Sequence, residues 1–184
     1  MKLWLVRHSL PLISPGTCYG SIDVPADEAA TARQARALAV VLPKDLPVIS
    51  SPLRRCRQLG ETLSGLRPDL QPSADPRLAE MSFGSWEGQR WDDISQREYN
   101  TWLANFATHR VGGGESVREF MRRVSNAMVD TLATANALGE AVWITHAGVI
   151  RAVTLLASGV SDVTRAGQWP RQAPACGEWC EIWL

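Results

Sequence analysis

Cysteine, net charge and long apolar runs are all scarce in this sequence. Four cysteines among 184 residues are too few for a disulfide-stabilised scaffold. The 19 basic and 19 acidic residues cancel, so the chain as a whole attracts neither nucleic acid nor a membrane surface. No stretch reaches the roughly 20 apolar residues of a membrane helix, and the apolar run at the start is too short for a signal peptide. We therefore expect a cytoplasmic protein in which any affinity for an anion comes from a local basic cluster.

The metal-ligating side chains are equally sparse. Cys176 and Cys180 form a lone C-x-x-x-C pair, whereas a structural zinc site takes four ligands. Without a second Cys/His pair this spacing is weak evidence for zinc. We expect no metal and no other cofactor.

Short apolar segments alternate with helical patterns along the chain. The expected strands cover residues 3–6, 48–50, 141–145 and 178–184, with room for a short strand within 67–77. The expected helices cover 28–42, 52–66, 91–107, 149–157 and a long segment from Glu115 or Ser116 to about Ala137. This alternation predicts an α/β fold, a three-layer αβα sandwich with a mostly parallel central sheet. The length fits a single domain, 1–184.

Helix starts and loops give further expectations. Asp27 is placed to cap the first helix. Ser51 is expected to cap the second, with Pro52 at its first position. Residues 9–27 carry several prolines and glycines and form a long loop, and long loops in compact domains are often functional.

Polar side chains follow three of the expected strands. Arg7-His8 ends the first strand, the segment 50–55 with Arg55 follows the second, and His146 follows the strand at 141–145. In open parallel sheets ligands bind beyond the carboxyl ends of the strands, so these segments can converge on one site. Ala147-Gly148 then begins a helix whose N-terminus suits an anion.

Each of these residues also has a less specific interpretation. Arg7-His8 alone fits a surface pair, and His146 fits a structural histidine. Arg55 fits a solvated helical charge, and Glu80 fits an exposed loop carboxylate. Their order along the chain and their local sequence contexts together favour one shared site over four unrelated roles.

Taken together, four segments resemble the histidine phosphatase superfamily, which has the phosphoglycerate-mutase-like fold. The resemblance runs from Leu3 to at least Leu156. The segments are Leu5-Val6-Arg7-His8, Ser50-Ser51-Pro52-Leu53-Arg54-Arg55, residues 78–88 around Glu80, and Thr145-His146-Ala147-Gly148-Val149-Ile150-Arg151.

The resemblance implies roles for particular residues. It implies that His8 attacks phosphorus and forms a phosphohistidine intermediate, and that Glu80 protonates the leaving oxygen and then activates water. It implies a cradle for the phosphate oxygens, made by Arg7, His8, Arg55, His146, Ser14 and Ala147. No metal takes part in this scheme.

The first segment departs from the family pattern. Ser9 stands where the family usually has glycine, and Pro11 and Ser14 stand where it usually has Thr or Ser and Asn. The phosphate therefore lacks some usual hydrogen-bond donors, which the hydroxyls of Ser9 or Ser14 can replace. These departures affect catalytic efficiency more than the class of reaction.

Residues 15–25 and 83–88 resemble the α-ribazole phosphatase branch, which removes phosphate from α-ribazole 5′-phosphate during cobalamin assembly. That likeness implies substrate contacts by Tyr19, Gly20 and Trp86. Among the eight tryptophans, Trp86 and Trp91 are candidates for stacking on a nucleotide-like substrate; core packing is the alternative for both.

The expected partner is a small-molecule phosphate ester, with no nucleic acid and no membrane. The oligomeric state stays open, a homodimer included. The alternatives are a phosphatase of another small ester, a mutase-type phosphotransferase, a protein phosphohistidine phosphatase, and a catalytically inactive phosphate-binding protein.

Overall fold

One five-stranded sheet organises the protein in the computed structural model, which describes residues 1–134 and 139–184. The strands are β1 (Lys2–Arg7), β2 (Val48–Ser50), β3 (Pro72–Ala74), β4 (Glu140–Thr145) and β5 (Trp179–Trp183). Their order is β3-β2-β4-β1-β5. All neighbours run parallel except β5, which runs antiparallel to β1.

Five α-helices accompany these strands in the part of the chain that the structure describes. They are α1 (Glu28–Val41), α2 (Arg54–Leu66), α3 (Gln96–Ala104), α4 (Val117–Thr134) and α5 (Ala147–Ala157). Single-turn 3-10 helices lie at Pro76–Leu78, Gly84–Trp86, Trp91–Asp93, Val111–Gly113 and Ala166–Gln168. No helix in the described ranges is long and apolar enough to cross a membrane.

The alternation of side chains along β1 separates two apolar cores. Leu3 and Leu5 pack in the core that contains α4 and α5, whereas Trp4 and Val6 pack in the core that contains α1 and α2. Successive side chains of a strand point to opposite faces, so this central strand is covered by helices on both sides. The three-layer αβα sandwich with a mostly parallel sheet is confirmed.

The start of α2 differs from the prediction. Asp27 caps α1 as expected, since its carboxylate accepts from Ala30 N–H at 2.7 Å. In contrast, α2 begins at Arg54 with Leu53 as its N-cap, so the prediction of Ser51 as cap was wrong. The Ser51 hydroxyl instead lies against His146 at 2.8 Å, and residues 51–53 connect β2 to α2.

The helix expected over 91–107 was also wrong in its limits. A short turn at Trp91–Asp93 comes first, and α3 starts only at Gln96 because Ser95 accepts from Glu98 N–H and caps it. The first residues of two other helices differ less from the prediction: α4 begins at Val117 and α5 begins at Ala147. The expected end of α4 at about Ala137 lies outside the described residues.

Candidate active site

The register of β1 and β4 brings the two histidines together. Arg7 pairs with Thr145 in the parallel ladder, so the next residue of each strand, His8 and His146, leaves the same edge of the sheet. The His8 N–H continues the ladder by donating to the Thr145 carbonyl at 3.0 Å. The ring centroids lie 5.1 Å apart, and the residues are 2% and 0% exposed.

The His8 ring has a defined tautomer. Its Nδ1 lies 2.7 Å from the Ser9 carbonyl, and because a carbonyl only accepts, Nδ1 carries the proton and Nε2 carries a lone pair. Burial, and then the nearby Arg55 and Arg7 cations, lower the pKa of His8 to about 3 against the opposing effect of the Ser9 hydrogen bond. Nε2 is therefore an available nucleophile at neutral pH.

His146 is held by the segment that follows β2 and by the first turn of α2. Its Nε2 lies 2.8 Å from the Ser51 hydroxyl and 3.5 Å from the Cys56 thiol. Burial, followed by the Arg55 cation, lowers its pKa well below the ordinary value. With Ser51 Oγ as donor, the single proton of the neutral ring resides on Nδ1, the tautomer that offers a donor to an anion.

Arg55 contributes a fully buried positive charge. Its guanidinium donates to the carbonyls of Ile22 at 2.9 Å and Gly20 at 2.7 Å, and it faces the Tyr19 ring at 5.5 Å from the centroid. Neither hydrogen-bond partner is charged, so these contacts fix the side chain without neutralising it. Buried positive charge of this kind attracts an anion strongly.

Three buried nitrogens of this cluster have no hydrogen-bond partner: Arg7 Nε, Arg55 Nε and His146 Nδ1. Arg7 is itself held in place, because its Nη1 donates to the Pro174 carbonyl at 2.9 Å. Buried polar groups in native proteins are nearly always paired. A tetrahedral oxyanion beside the neutral His8 ring would accept hydrogen bonds from these unpaired donors.

Glu80 lies at the N-terminus of α5. Its Oε2 accepts from the Gly148 N–H at 2.9 Å and its Oε1 from the Met81 N–H at 3.0 Å. The Thr145 hydroxyl donates to the Leu78 carbonyl at 2.8 Å, which holds this irregular segment against the end of β4. The carboxylate is thus fixed on Gly148, which follows His146 by only two residues.

Other predicted site residues fall in different positions. Ala147 is the first residue of α5, where a helix amide has no acceptor within the helix. Tyr19 faces Arg55, and burial raises the pKa of its hydroxyl. Ser14 is exposed and uses its carbonyl to accept from Thr17, so its part in phosphate binding stays a prediction.

One predicted substrate contact, Trp86, disagrees with the structure. Trp86 is 2% exposed and packs edge-on against Trp91 and Trp102 in the core, so it is not available for stacking on a substrate. Gly20 is buried, and a Cβ there would lie 1.9 Å from the Met81 carbonyl. Its carbonyl accepts from Arg55 Nη2 at 2.7 Å, and its contact with substrate stays a prediction.

A cavity of about 440 Å³ opens beside Glu80 and Gly148. Its aromatic lining consists of Phe83, Tyr99, Trp102, Phe106, Phe120 and Trp169. Arg151 and Arg171 also line it, and Arg151 Nε is buried without a partner. Sequence reasoning did not assign these residues, although the abundance of tryptophan was a signal. Among the residues that the structure describes, no three His, Cys, Asp or Glu side chains converge to hold a metal ion.

Comparison with known proteins identifies the family. The family model described as the histidine phosphatase superfamily (branch 1) matches residues 3–175. A Hydrogenobacter thermophilus protein named "Putative phosphoserine phosphatase 2" is 31% identical over 165 residues, covering 86% of this chain and 79% of its own. The "Adenosylcobalamin/alpha-ribazole phosphatase" of Salmonella typhimurium is 28% identical, covering 92% and 84%.

Solved structures agree with this assignment. The crystal structure of TTHB049 from Thermus thermophilus is 34% identical, with a TM-score of 0.72 over 99% of this chain and 93% of that one. The four motif segments, which include His8 and His146, lie within the region that the family model matches. This chain belongs to the histidine phosphatase superfamily.

Proposed function

We propose that this protein is a phosphatase that hydrolyses a phosphate monoester through a phosphohistidine intermediate on His8. The observation that carries the proposal is the position of the His8 ring. Its Nδ1 is occupied by the Ser9 carbonyl, and its free Nε2 belongs to a cluster with unpaired nitrogens of Arg7, Arg55 and His146. A neutral nucleophile beside a basic cradle is what phosphoryl transfer requires.

In the first step, His8 Nε2 attacks phosphorus. An N–P bond forms, and the P–O bond to the leaving alcohol breaks. Glu80, in its protonated form, gives its proton to that oxygen, so a neutral alcohol departs and the carboxylate remains. Arg7, Arg55 and His146 hold the equatorial oxygens, where charge stabilisation is the main source of catalysis in phosphoryl transfer.

In the second step, water attacks the phosphohistidine. The Glu80 carboxylate takes a proton from water as the O–P bond forms and the N–P bond breaks. Inorganic phosphate leaves, and His8 returns to its neutral form with the proton still on Nδ1. General acid–base help from such a carboxylate is worth about 10²–10⁴-fold in rate.

The substrate we propose is α-ribazole 5′-phosphate, an intermediate of cobalamin biosynthesis. The cavity beside Glu80 supports this, because its aromatic lining suits a leaving alcohol that carries a flat ring system. Trp102 and Trp169 take the stacking role in place of the buried Trp86. The name of the Salmonella relative supports the same substrate.

A different small ester is the second candidate. Arg151 and Arg171 line the same cavity, and Arg151 Nε has no partner. Guanidinium groups bind carboxylates well, which favours a leaving alcohol that carries a carboxylate, such as serine. The name of the Hydrogenobacter relative points the same way.

A phosphate-release assay over a panel of esters tests both proposals. The panel contains α-ribazole 5′-phosphate, phosphoserine, phosphoglycerates and fructose bisphosphate. We expect the highest kcat/KM for α-ribazole 5′-phosphate and acid-labile labelled phosphate on the protein after a rapid quench. A folded His8→Ala variant should lose both signals.

Several outcomes would overturn parts of this scheme. Normal turnover in a folded His8→Ala variant, or label on serine or cysteine, contradicts the histidine nucleophile. Preference for phosphoserine replaces the substrate but keeps the mechanism. Transfer of the phosphate to another sugar hydroxyl instead of to water indicates a mutase. A protein that binds phosphate but turns over none of these esters is a binding protein.

A further inference from the structure

The segment that carries Glu80 has little regular structure of its own. Between β3 and α3 the chain forms only single 3-10 turns, at Pro76–Leu78, Gly84–Trp86 and Trp91–Asp93. No strand pairing or long helix therefore fixes the backbone at residues 77–82. A general acid in such a segment needs another means of support, because catalytic groups act only within small tolerances of position.

One arginine of α4 holds this backbone. Arg123 Nη1 donates to the carbonyls of Arg77 at 2.6 Å and Ala79 at 2.7 Å, and its Nη2 donates to the Glu80 carbonyl at 3.1 Å. Nε and Nη2 also donate to the two oxygens of Glu115 at 2.7 and 3.0 Å. These contacts use all five N–H donors of the guanidinium.

Glu115, the ion-pair partner of Arg123, adds a second support to the segment. Its carboxylate and the Arg123 guanidinium are only 17% and 22% exposed, so solvent weakens the ion pair less than it would at the surface. Glu115 also contacts the segment directly, since its backbone N–H donates to the Ser82 carbonyl at 2.9 Å. Arg123 and Glu115 together thus hold residues 77–82 through four backbone carbonyls.

We infer that Arg123 is a positioning residue for Glu80: its guanidinium fixes the backbone from which that carboxylate reaches the leaving oxygen. Arg123 does not line the aromatic cavity. It does line a second cavity, of about 560 Å³, that Glu80 also lines. Because protein acceptors already use all five of its N–H groups, it acts through Glu80 and not on the substrate. The inference rests on the proposed function, because it assumes that Glu80 acts as a general acid.

Arg123→Lys tests this inference, since lysine keeps the charge but cannot reproduce the planar fork. We measure kcat and KM on 4-nitrophenyl phosphate, whose leaving group needs no proton, and on an alkyl phosphate, whose leaving group does. General acids contribute about 10²–10⁴-fold, so a displaced one should cost about 10-fold in kcat on the alkyl ester. The loss on the nitrophenyl ester should stay below about 3-fold, with KM unchanged on both.

A double-mutant cycle separates positioning from general damage to the fold. In a Glu80→Gln background the acid is absent, so Arg123→Lys should then cost less than about 2-fold on the alkyl ester. Arg122→Lys is the matched control, because Arg122 is the exposed neighbour on the same helix, and it should change neither ester. If Arg123→Lys does not fold, Glu115→Gln is judged by the same criteria.

The outcomes distinguish the inference from the proposed function. Equal losses on both esters, or an undiminished loss in the Glu80→Gln background, overturn the role of Arg123 while leaving the phosphatase proposal in place. Failure of the unaltered protein to release phosphate from any ester overturns the proposed function itself.

Discussion

His8 and His146 lie side by side at one edge of the sheet, with ring centroids 5.1 Å apart and planes tilted by 55°. Two imidazolium ions at this distance would repel each other, but both rings are kept neutral by burial and by Arg55. The arginines and the histidines therefore have different properties at this site. The arginines supply positive charge, and the histidines supply a lone pair and a neutral hydrogen-bond donor.

The burial of His8 beside Arg55 predicts an unusual titration of its ring. Because the pKa of His8 is lowered to about 3, its ring resonances should not shift in an NMR titration between pH 8 and 5. An ordinary histidine titrates near about 6.5. The difference between spectra of the unaltered protein and a His8→Asn variant assigns the signals. A titration midpoint of His8 at about 6.5 would show that burial and Arg55 do not lower the pKa of this ring.

The same shifts predict how stability depends on pH. Below about 6.5 the unfolded chain binds protons at His8 and His146 that the folded protein excludes. The free energy of unfolding should therefore fall as the pH drops from about 6.5 towards 3, by up to about 1.4 kcal/mol per pH unit for each histidine, and neither should contribute above this window. Urea unfolding at pH 7 and pH 5 measures the effect.

The control for this prediction is His146→Gln, which removes one of the two buried rings. Contributions from carboxylates are common to both proteins and cancel in the comparison. The loss of stability between pH 7 and 5 should be smaller in the variant. Equal losses in the two proteins would contradict the assignment to His146.

Gly148→Ala should disturb Glu80 directly. A Cβ at this position would lie 2.1 Å from Oε1 of Glu80, so the carboxylate has to move. We expect kcat on an alkyl phosphate to fall by about 10-fold or more, within the range of a lost general acid. Phosphate release from alkyl and nitrophenyl esters measures this, with the larger loss on the alkyl ester.

Gly65→Ala is the matched control, since Gly65 lies in α2 with nothing within 4 Å of its added Cβ. This change should leave activity unchanged and raise the free energy of unfolding by about 0.5–1 kcal/mol, the usual gain for alanine over glycine within a helix. Full activity of Gly148→Ala would show that Glu80 tolerates displacement.

Ser51→Ala should loosen His146. The hydroxyl lies 2.8 Å from Nε2 of that ring, and removing it leaves a buried nitrogen with only the Cys56 thiol at 3.5 Å. An unsatisfied buried group costs about 1–3 kcal/mol, so we expect a lower free energy of unfolding together with reduced kcat. Ser64→Ala is the control, because the Ser64 hydroxyl donates to the Glu61 carbonyl within α2; equal behaviour of the two variants would refute the assigned contact.

Trp102→Leu should impair binding of an aromatic leaving group. Trp102 lines the cavity beside Glu80 and stacks on Phe106 at a centroid distance of 5.4 Å. An aromatic contact is worth about 0.5–1.5 kcal/mol beyond buried area, so KM for α-ribazole 5′-phosphate should rise several-fold, with little change for a small alkyl ester. Trp183→Leu, at a position 74% exposed, should change neither. An equal rise for both esters would indicate damage to the fold.

The fold and the meeting of the two histidines were accessible from sequence because both depend on local patterns. Buried strands such as residues 141–145 form continuous apolar runs, and the polar residues after them mark strand ends. Parallel pairing then makes neighbouring strand ends adjacent, which is why Arg7-His8 and His146 could be expected to meet.

The aromatic cavity could not be predicted in this way. Its lining comes from α3, α4, α5 and the irregular segments around Phe83 and Trp169, which no local period connects. Trp86 shows the same limit: its sequence context resembles a substrate loop, but only tertiary packing shows that the ring is buried. The sequence predicted Ser51 as a helix cap because serine before proline is typical of a helix start. In the structure its hydroxyl instead contacts His146, which is far from it in sequence.

The pairing of Arg7 with Thr145 also determines which insertions and deletions this protein can tolerate. Losing one residue from β1 would displace the chain end by about 3.3 Å and turn each of its side chains to the opposite face. Connecting loops that hold no residue of the site carry no such constraint. Insertions and deletions should therefore be tolerated in those loops, whereas a change of length within β1 or β4 that shifts their pairing should separate His8 from His146.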